Sequence, residues 1–503
     1  MWLVSDVPVN VPFDLASFSF ENLLNALALA PCTAHDVGQG DVSRYLADYL
    51  TALGVKTILT ELSYVDADYL DDYANFYAKS FERIPNRCRR LHFFTVEIAS
   101  KEDFLALILA SPTADCLQEN YAGFVVARPL PTAAIGRTVL KTYPPDGGRR
   151  NYPTVRCYQV NLFGMSLIVN SLAFQMQDTS LAACATVALW TCFQKTQDIF
   201  KSLSPTPVAI TRAATQFLFS ARPFPSRGLQ VQQICNAIAS VGLDPEVYPV
   251  GPTLPLSSLI YSYLRLGLPV LLLVKVPGTG GHAVALTGYS LRKDEQLASE
   301  GGQVRTLLPR MVGTRIDEFY GHDDQKGPFR RFVMEPPIDD QSVVTFKDTG
   351  WQVNLVPEFV IVPVYPKIRT GFREVTKFLP TVSIVAGWAA NPLLFEWDVF
   401  LTSGNEFKAS LREGTTLEPS LKEALLLDAY PKYLWRCILR LDGVPFLEML
   451  LDTTAMVAGF PIRHLWWHDT SARDVVKAFV GVHENFLKDA YGPRLIEILK
   501  SAY

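Results

Sequence analysis

The feature that most narrows the choice of fold is the order of elements in the middle of the chain, where helix-forming segments come first and strand-forming segments second. From Asp178 onward, residues 182–200 are rich in helix formers with apolar side chains at helical spacing, and Thr179 and Ser180 are placed to cap them. Two further helix candidates, 228–241 and 256–266, precede two strand-like runs at 269–276 and 282–290. Before this block, helix candidates at 46–53 and 67–81 mix with strand candidates at 91–98 and 123–129. A linker-like stretch at 143–150 interrupts that region, and two more strand candidates flank Phe163-Gly164. After Pro336-Pro337 a new alternation begins, with strands near 359–365, 397–402 and 435–441 and a closing helix at 471–487. A chain of 503 residues exceeds what one core organises, so three α+β units are expected, at 1–165, 166–345 and 346–503.

Bulk composition excludes several function classes. Hydrophobic residues make up 49% and charged residues 19%, the balance of an ordered globular chain. With 46 basic against 50 acidic residues, there is no overall positive field of the kind that non-specific nucleic-acid binding needs. The start of the chain does not read as a secretory signal, and the apolar run at 266–276 contains Pro269 and Lys275 and is too short to span a bilayer. The expectation is a cytoplasmic protein with no membrane, nucleic-acid or cofactor partner. Eight cysteines are scattered without a Cys-x-x-Cys pair, which argues against a disulfide framework and a zinc ribbon.

Two residues stand out chemically. A thiol becomes a useful nucleophile when its thiolate is stabilised, commonly by a helix N-terminus and an adjacent imidazolium. Cys184 falls in the first turns of the 182–200 helix, where unpaired backbone N–H groups face an anion. Taken alone it reads as a buried structural cysteine and proves nothing. His282 follows Thr279-Gly280-Gly281 and opens a run with strand character, in which period-two alternation puts His282, Val284 and Leu286 on one face. A histidine at the start of a strand after glycines lies at the sheet edge, where a ligand can approach.

The stretch Gly281-His282-Ala283-Val284-Ala285-Leu286-Thr287-Gly288-Tyr289 resembles the histidine strand of papain-like peptidases, and equally that of the bacteriocin-processing peptidases of the same fold. The chain order is cysteine, histidine, then an acidic or amide residue, and His322-Asp323-Asp324-Gln325-Lys326-Gly327 supplies the third element. The resemblance covers about residues 175–335 and implies a helical part packed on an antiparallel sheet. It implies Cys184 as nucleophile, His282 as base and an orienting aspartate, Asp324 by its spacing to Gly327 with Asp323 as second choice. Alternation along a strand allows only one of the two to face His282 Nδ1. The implied oxyanion-hole amide is Gln177, with Gln175 second. The nucleophile's surroundings, Ala182-Ala183-Cys184-Ala185-Thr186, depart from the papain signature and leave subfamily and substrate open. The implied activity is a cysteine peptidase or related amide hydrolase on a protein or peptide substrate, its flanks selecting protein partners. A silent scaffold and an acyltransferase of the transglutaminase or deamidase kind remain alternatives.

Other signals carry less. His464 and His468 are four apart, with His483 as a third candidate, but no His-Glu-x-x-His pattern is present and no metal site is expected. The acidic run Asp66, Asp68, Asp71, Asp72 lacks the features of a calcium loop and reads as a solvated helix start. Arg83, Arg87, Arg89 and Arg90 read as a surface cluster.

Overall fold

The computed structural model describes residues 12–110, 115–178, 180, 183–216, 228–292, 310–335, 345–348, 350–414, 417–455 and 461–502. Thr179, Ala182, Pro336-Pro337 and the polar stretch 294–302 lie outside them. The architecture is α+β, with antiparallel sheets joined by helices.

Strands β1 (Phe13–Ser17), β2 (Thr57–Tyr64), β3 (Cys88–Phe94), β4 (Tyr121–Ala127) and β5 (Ile135–Leu140) form a five-stranded sheet in sequence order. Strand β6 (Arg150–Asn151) follows, then the hairpin of β7 (Arg156–Leu162) and β8 (Met165–Ser171). The hairpin turns at Phe163 and Gly164, with φ of 46° and 87°, the left-handed pair that matches strand twist. The helix expected at 67–81 is shorter, Ala67–Asn75, followed by a single turn of 3₁₀-helix at Tyr77–Lys79.

The helix Cys184–Phe200 comes next and is buried on nearly every face. Strand β9 (Asp244–Pro249) precedes β10 (Val270–Val276), β11 (Gly280–Leu291), β12 (Ile316–Asp323), β13 (Gly327–Glu335), β14 (Thr345–Asp348) and β15 (Asn354–Val364). Each of β10 to β15 pairs with the next, and β15 returns to pair with β10, closing a six-stranded barrel. Strand β9 adds to β15, and β6 adds to β11. The Cys184–Phe200 helix packs across β11 from outside the barrel, so β11 is buried from His282 to Ser290 on both faces and its alternation is lost in burial. The strand expected near 359–365 as part of a third unit is β15, a stave of this barrel. The expected boundary at 345 therefore falls inside the barrel, because long-range pairing with β10 recruits chain beyond it.

Strands β16 (Phe395–Ser403), β17 (Tyr433–Leu441), β18 (Val444–Asp452) and β19 (Ile462–Trp467) make a four-stranded sheet in sequence order. The closing helix is two, Thr470–Val482 and Glu484–Tyr491, with a third at Pro493–Ser501. The Leu256–Leu264 helix ties this sheet to the barrel: Tyr261 donates to Asp398 Oδ1 at 2.9 Å and Ser262 Oγ to the Val399 carbonyl at 2.6 Å. One connected set of buried apolar side chains runs from Phe13 in β1 through the barrel to Trp397 and Trp435 in this sheet.

The acidic run is not a solvated helix start. Asp66, Asp68 and Asp72 are buried, Asp66 as the helix N-cap accepting from the Tyr69 amide at 3.1 Å. Arg137 reaches Asp68 at 2.7 Å, and the Trp190 indole N–H donates to the same Asp68 oxygen at 3.1 Å. The run is thus the polar contact between the first sheet and the Cys184–Phe200 helix. Nor is the arginine cluster wholly a surface feature, since Arg90 is buried and pairs with Glu61 at 2.6 Å. Among the described residues no helix is long and apolar enough to cross a membrane.

Candidate active site

Cys184 is the first residue of its helix, two positions later than the helical periodicity suggests. Ala183 is the N-cap, in extended conformation, and its amide donates to Thr186 Oγ1 at 3.2 Å, so the cap is closed from the N3 side chain. Ser180, offered as a cap, lies in a turn where its amide donates to Asp178 Oδ1 at 3.0 Å. The first amides of a helix have no partner within it, and Cys184 stands at that end of the dipole. Its side chain is half-buried, whereas His282, Asp323 and Asp324 are buried. Of these residues Cys184 is the one open to solvent.

His282 sits in β11 opposite Val274 of β10, and β12 brings its last residue, Asp323, alongside. His282 Nε2 lies 3.1 Å from Asp323 Oδ2 and 3.9 Å from Asp324 Oδ1. The Nε2–H is not aimed along the shorter line, so the contact is a close ion pair rather than an aligned hydrogen bond. The Cys184 thiol lies close enough to the same ring to help it hold a proton. It is thus Nε2, and not the Nδ1 expected from the sequence, that faces the aspartates.

The preference for Asp324 is likewise corrected, because Asp323 is the nearer carboxylate. A bulge between β12 and β13 breaks the register after Gly321, and β12 ends at Asp323, leaving Asp324 in the turn. Counting back from Gly327 assumed an unbroken strand. Asp323 is also the better held of the two. Its Oδ1 accepts from the Gln325 amide at 2.9 Å, and its Oδ2 from the Trp351 indole N–H at 3.0 Å. Trp351 lies with its ring centre 5.3 Å from that of His282 and carries the Lys326 ammonium over its face at 4.7 Å. It escaped the sequence because the only hint is a lone tryptophan after a glycine, far along the chain.

Burial is the largest influence on all three ionisable partners. It pushes the His282 imidazole down, but the Asp323 charge and contact, the neighbouring Cys184 thiol and Asp324 together hold the ring well above its ordinary value. It pushes Asp323 up, yet His282, Trp351 and the Gln325 amide hold that carboxyl below the usual range. Asp324 is helped less: burial and the Asp323 charge outweigh His282 and the Asp324 and Gln325 amides and push it up to about 7. Next door, His322 is a structural residue. Its Nδ1 accepts from the Phe329 amide at 3.0 Å and its Nε2 donates to the Leu172 carbonyl at 3.0 Å, which fixes one neutral tautomer, and burial lowers it to about 4.

Gln175 is buried and Gln177 half-buried in the segment that leads from β8 towards Cys184. His322 anchors this segment to the barrel through Leu172. His464 and His468 face separate carboxylates, Asp428 at 2.7 Å and Glu448 at 3.2 Å, and do not converge. His282, Asp323 and Asp324 do converge, with one donor atom from each within 4.8 Å of the others.

No protein-family model matches the chain, and no curated protein matches it either.

Proposed function

We propose that the barrel and the Cys184–Phe200 helix form a papain-like catalytic unit, and that the chain is a cysteine peptidase or related amide hydrolase acting on a protein or peptide. The observation that carries this reading is the grouping of Cys184, His282 and Asp323: a half-buried thiol at a helix start, beside an imidazole whose Nε2 lies 3.1 Å from a pinned carboxylate. In the reaction, His282 holds the Cys184 proton as imidazolium while the thiolate attacks the substrate carbonyl carbon, forming the C–S bond. The amide N–H groups at the helix start and Gln177 stabilise the resulting oxyanion. His282 then gives its proton to the departing amine as the C–N bond breaks, leaving a thioester. Water, deprotonated by His282, attacks the thioester, and collapse releases the acid and the thiolate. Asp323 keeps the ring oriented and its positive charge tolerable throughout. All eight cysteines are free, which suits a reducing compartment, and the reading extends to the cytoplasm.

The test is to incubate a diverse peptide pool with the wild type and with Cys184→Ala, with and without an added primary amine, and to sequence the products. New amino termini formed only by the wild type support hydrolysis, and amine-tagged products would make the same triad a transferase. Wild type and variant giving identical products in both arms would leave a catalytically silent scaffold.

A further inference from the structure

We infer that His282, Asp323 and Asp324 together form a binding site for a divalent ion of the zinc class, whose occupation silences Cys184. The starting observation is Asp324, which is 4% exposed and whose two carboxylate oxygens have no hydrogen-bond partner. A buried carboxylate left this way is costly unless a cation or proton meets it. The neighbouring cations are turned elsewhere. Lys326 Nζ bonds Asp41 Oδ2 at 2.6 Å, and Arg330 bonds Asp348 Oδ1 at 2.6 Å. Among the described residues the ion pair recorded for Asp324 is to His282 alone, at 3.9 Å.

One imidazole nitrogen and two carboxylate oxygens are a donor set that zinc-class ions accept. Bonds of about 2.0–2.1 Å in a tetrahedral site place ligand atoms roughly 3.3 Å apart. The separations here, 3.1 Å and 3.9 Å from His282 Nε2, bracket that spacing. The surrounding shell is in place as well, since Trp351 and the Gln325 amide fix the Asp323 carboxylate without using all its lone pairs.

The inhibitory consequence rests on the proposed function, whereas the metal affinity does not. A metal on Nε2 takes the lone pair there, so the ring carries its single proton on Nδ1 and cannot accept another from the thiol. The cation also draws Asp323 and Asp324 away from supporting an imidazolium.

The experiment is equilibrium dialysis of the metal-free full-length protein against zinc and against cobalt(II), with the cobalt absorption spectrum recorded. The expected result is one tightly bound equivalent, a cobalt spectrum without sulfur-to-metal charge transfer, and the same stoichiometry in Cys184→Ala. Asp324→Asn should weaken zinc binding by about tenfold or more. Zinc should slow alkylation of Cys184, and a chelator should restore it. No stoichiometric metal, or a charge-transfer band that Cys184→Ala abolishes, would overturn the assignment. Zinc binding undiminished in a folded Asp324→Asn would do the same, and should that variant not fold, the wild-type cobalt spectrum decides. An unreactive Cys184 in metal-free protein would refute the proposed function while leaving the metal count to stand.

Discussion

Asp323 and Asp324 are adjacent and both buried, yet the structure treats them differently: one carboxylate is held by an indole and an amide beside His282, the other is left without hydrogen bonds. Cys184 and His282 could be picked out from the sequence because each carries a local mark, a helix start and a Gly-Gly-His entry into a strand. The choice between the aspartates carried no such mark, since it depends on where a bulge falls, and Trp351 was invisible because its role exists only across the barrel. Asp323→Ala should therefore slow Cys184 alkylation at neutral pH by about a hundredfold or more, and Asp324→Ala by less than about tenfold. Side-by-side rates in the two variants check this, and the opposite order would return the orienting role to Asp324.

The turn between β12 and β13 sets where Asp323 ends up. Gly327 has φ of +126°, and a Cβ there would stand 2.2 Å from Tyr45 Cδ1, so both the backbone and the space require glycine. Tyr45 cannot simply swing aside, being packed under the Arg330 guanidinium at 4.3 Å and bonded to Tyr143 at 2.8 Å. Gly327→Ala should cost about 1–3 kcal/mol in urea unfolding and slow Cys184 alkylation through displacement of the turn. Unchanged stability would mean that Tyr45 is looser than this packing implies. The sequence supported most strands and helices here as types, because their apolar periods are local. It misplaced the helix start by two residues, where composition is uniformly small and apolar and the cap is an alanine.

Across the whole molecule the sequence was least informative where pairing is long-range. Barrel closure between β10 and β15 joins segments about ninety residues apart by backbone bonds that no periodicity announces. The acidic run was misjudged for the same reason, since its main partners, Arg137 and Trp190, come from distant segments. Within that run, burial pushes the Asp72 carboxyl up to about 8, with Arg128 opposing and Asp178, Asp68 and Asp71 adding to the rise. A value raised in the folded state contributes stability that is complete below the unfolded value of about 4 and is lost as pH climbs through about 8. Asp72→Asn does not titrate, so the wild type should lose melting temperature relative to the variant between pH 5 and pH 9, on the order of a few degrees. A difference that stays constant over that range would place Asp72 in a wetter setting than its 2% exposure indicates.

The central claim is that Cys184 works with His282, and the most direct measurement is site-resolved mass spectrometry of metal-free protein pulsed with a thiol electrophile at neutral pH. The exposed Cys116 and Cys157 serve as internal references for accessibility, while burial pushes the Cys88 and Cys192 thiols up to about 12 and should keep them slow. Cys184, although only half-buried, should react about tenfold or more faster than Cys116 and Cys157, and His282→Ala should remove that advantage without changing the reference sites. Labelling of Cys184 at or below the rate of Cys116 and Cys157, or labelling indifferent to His282→Ala, would contradict the account.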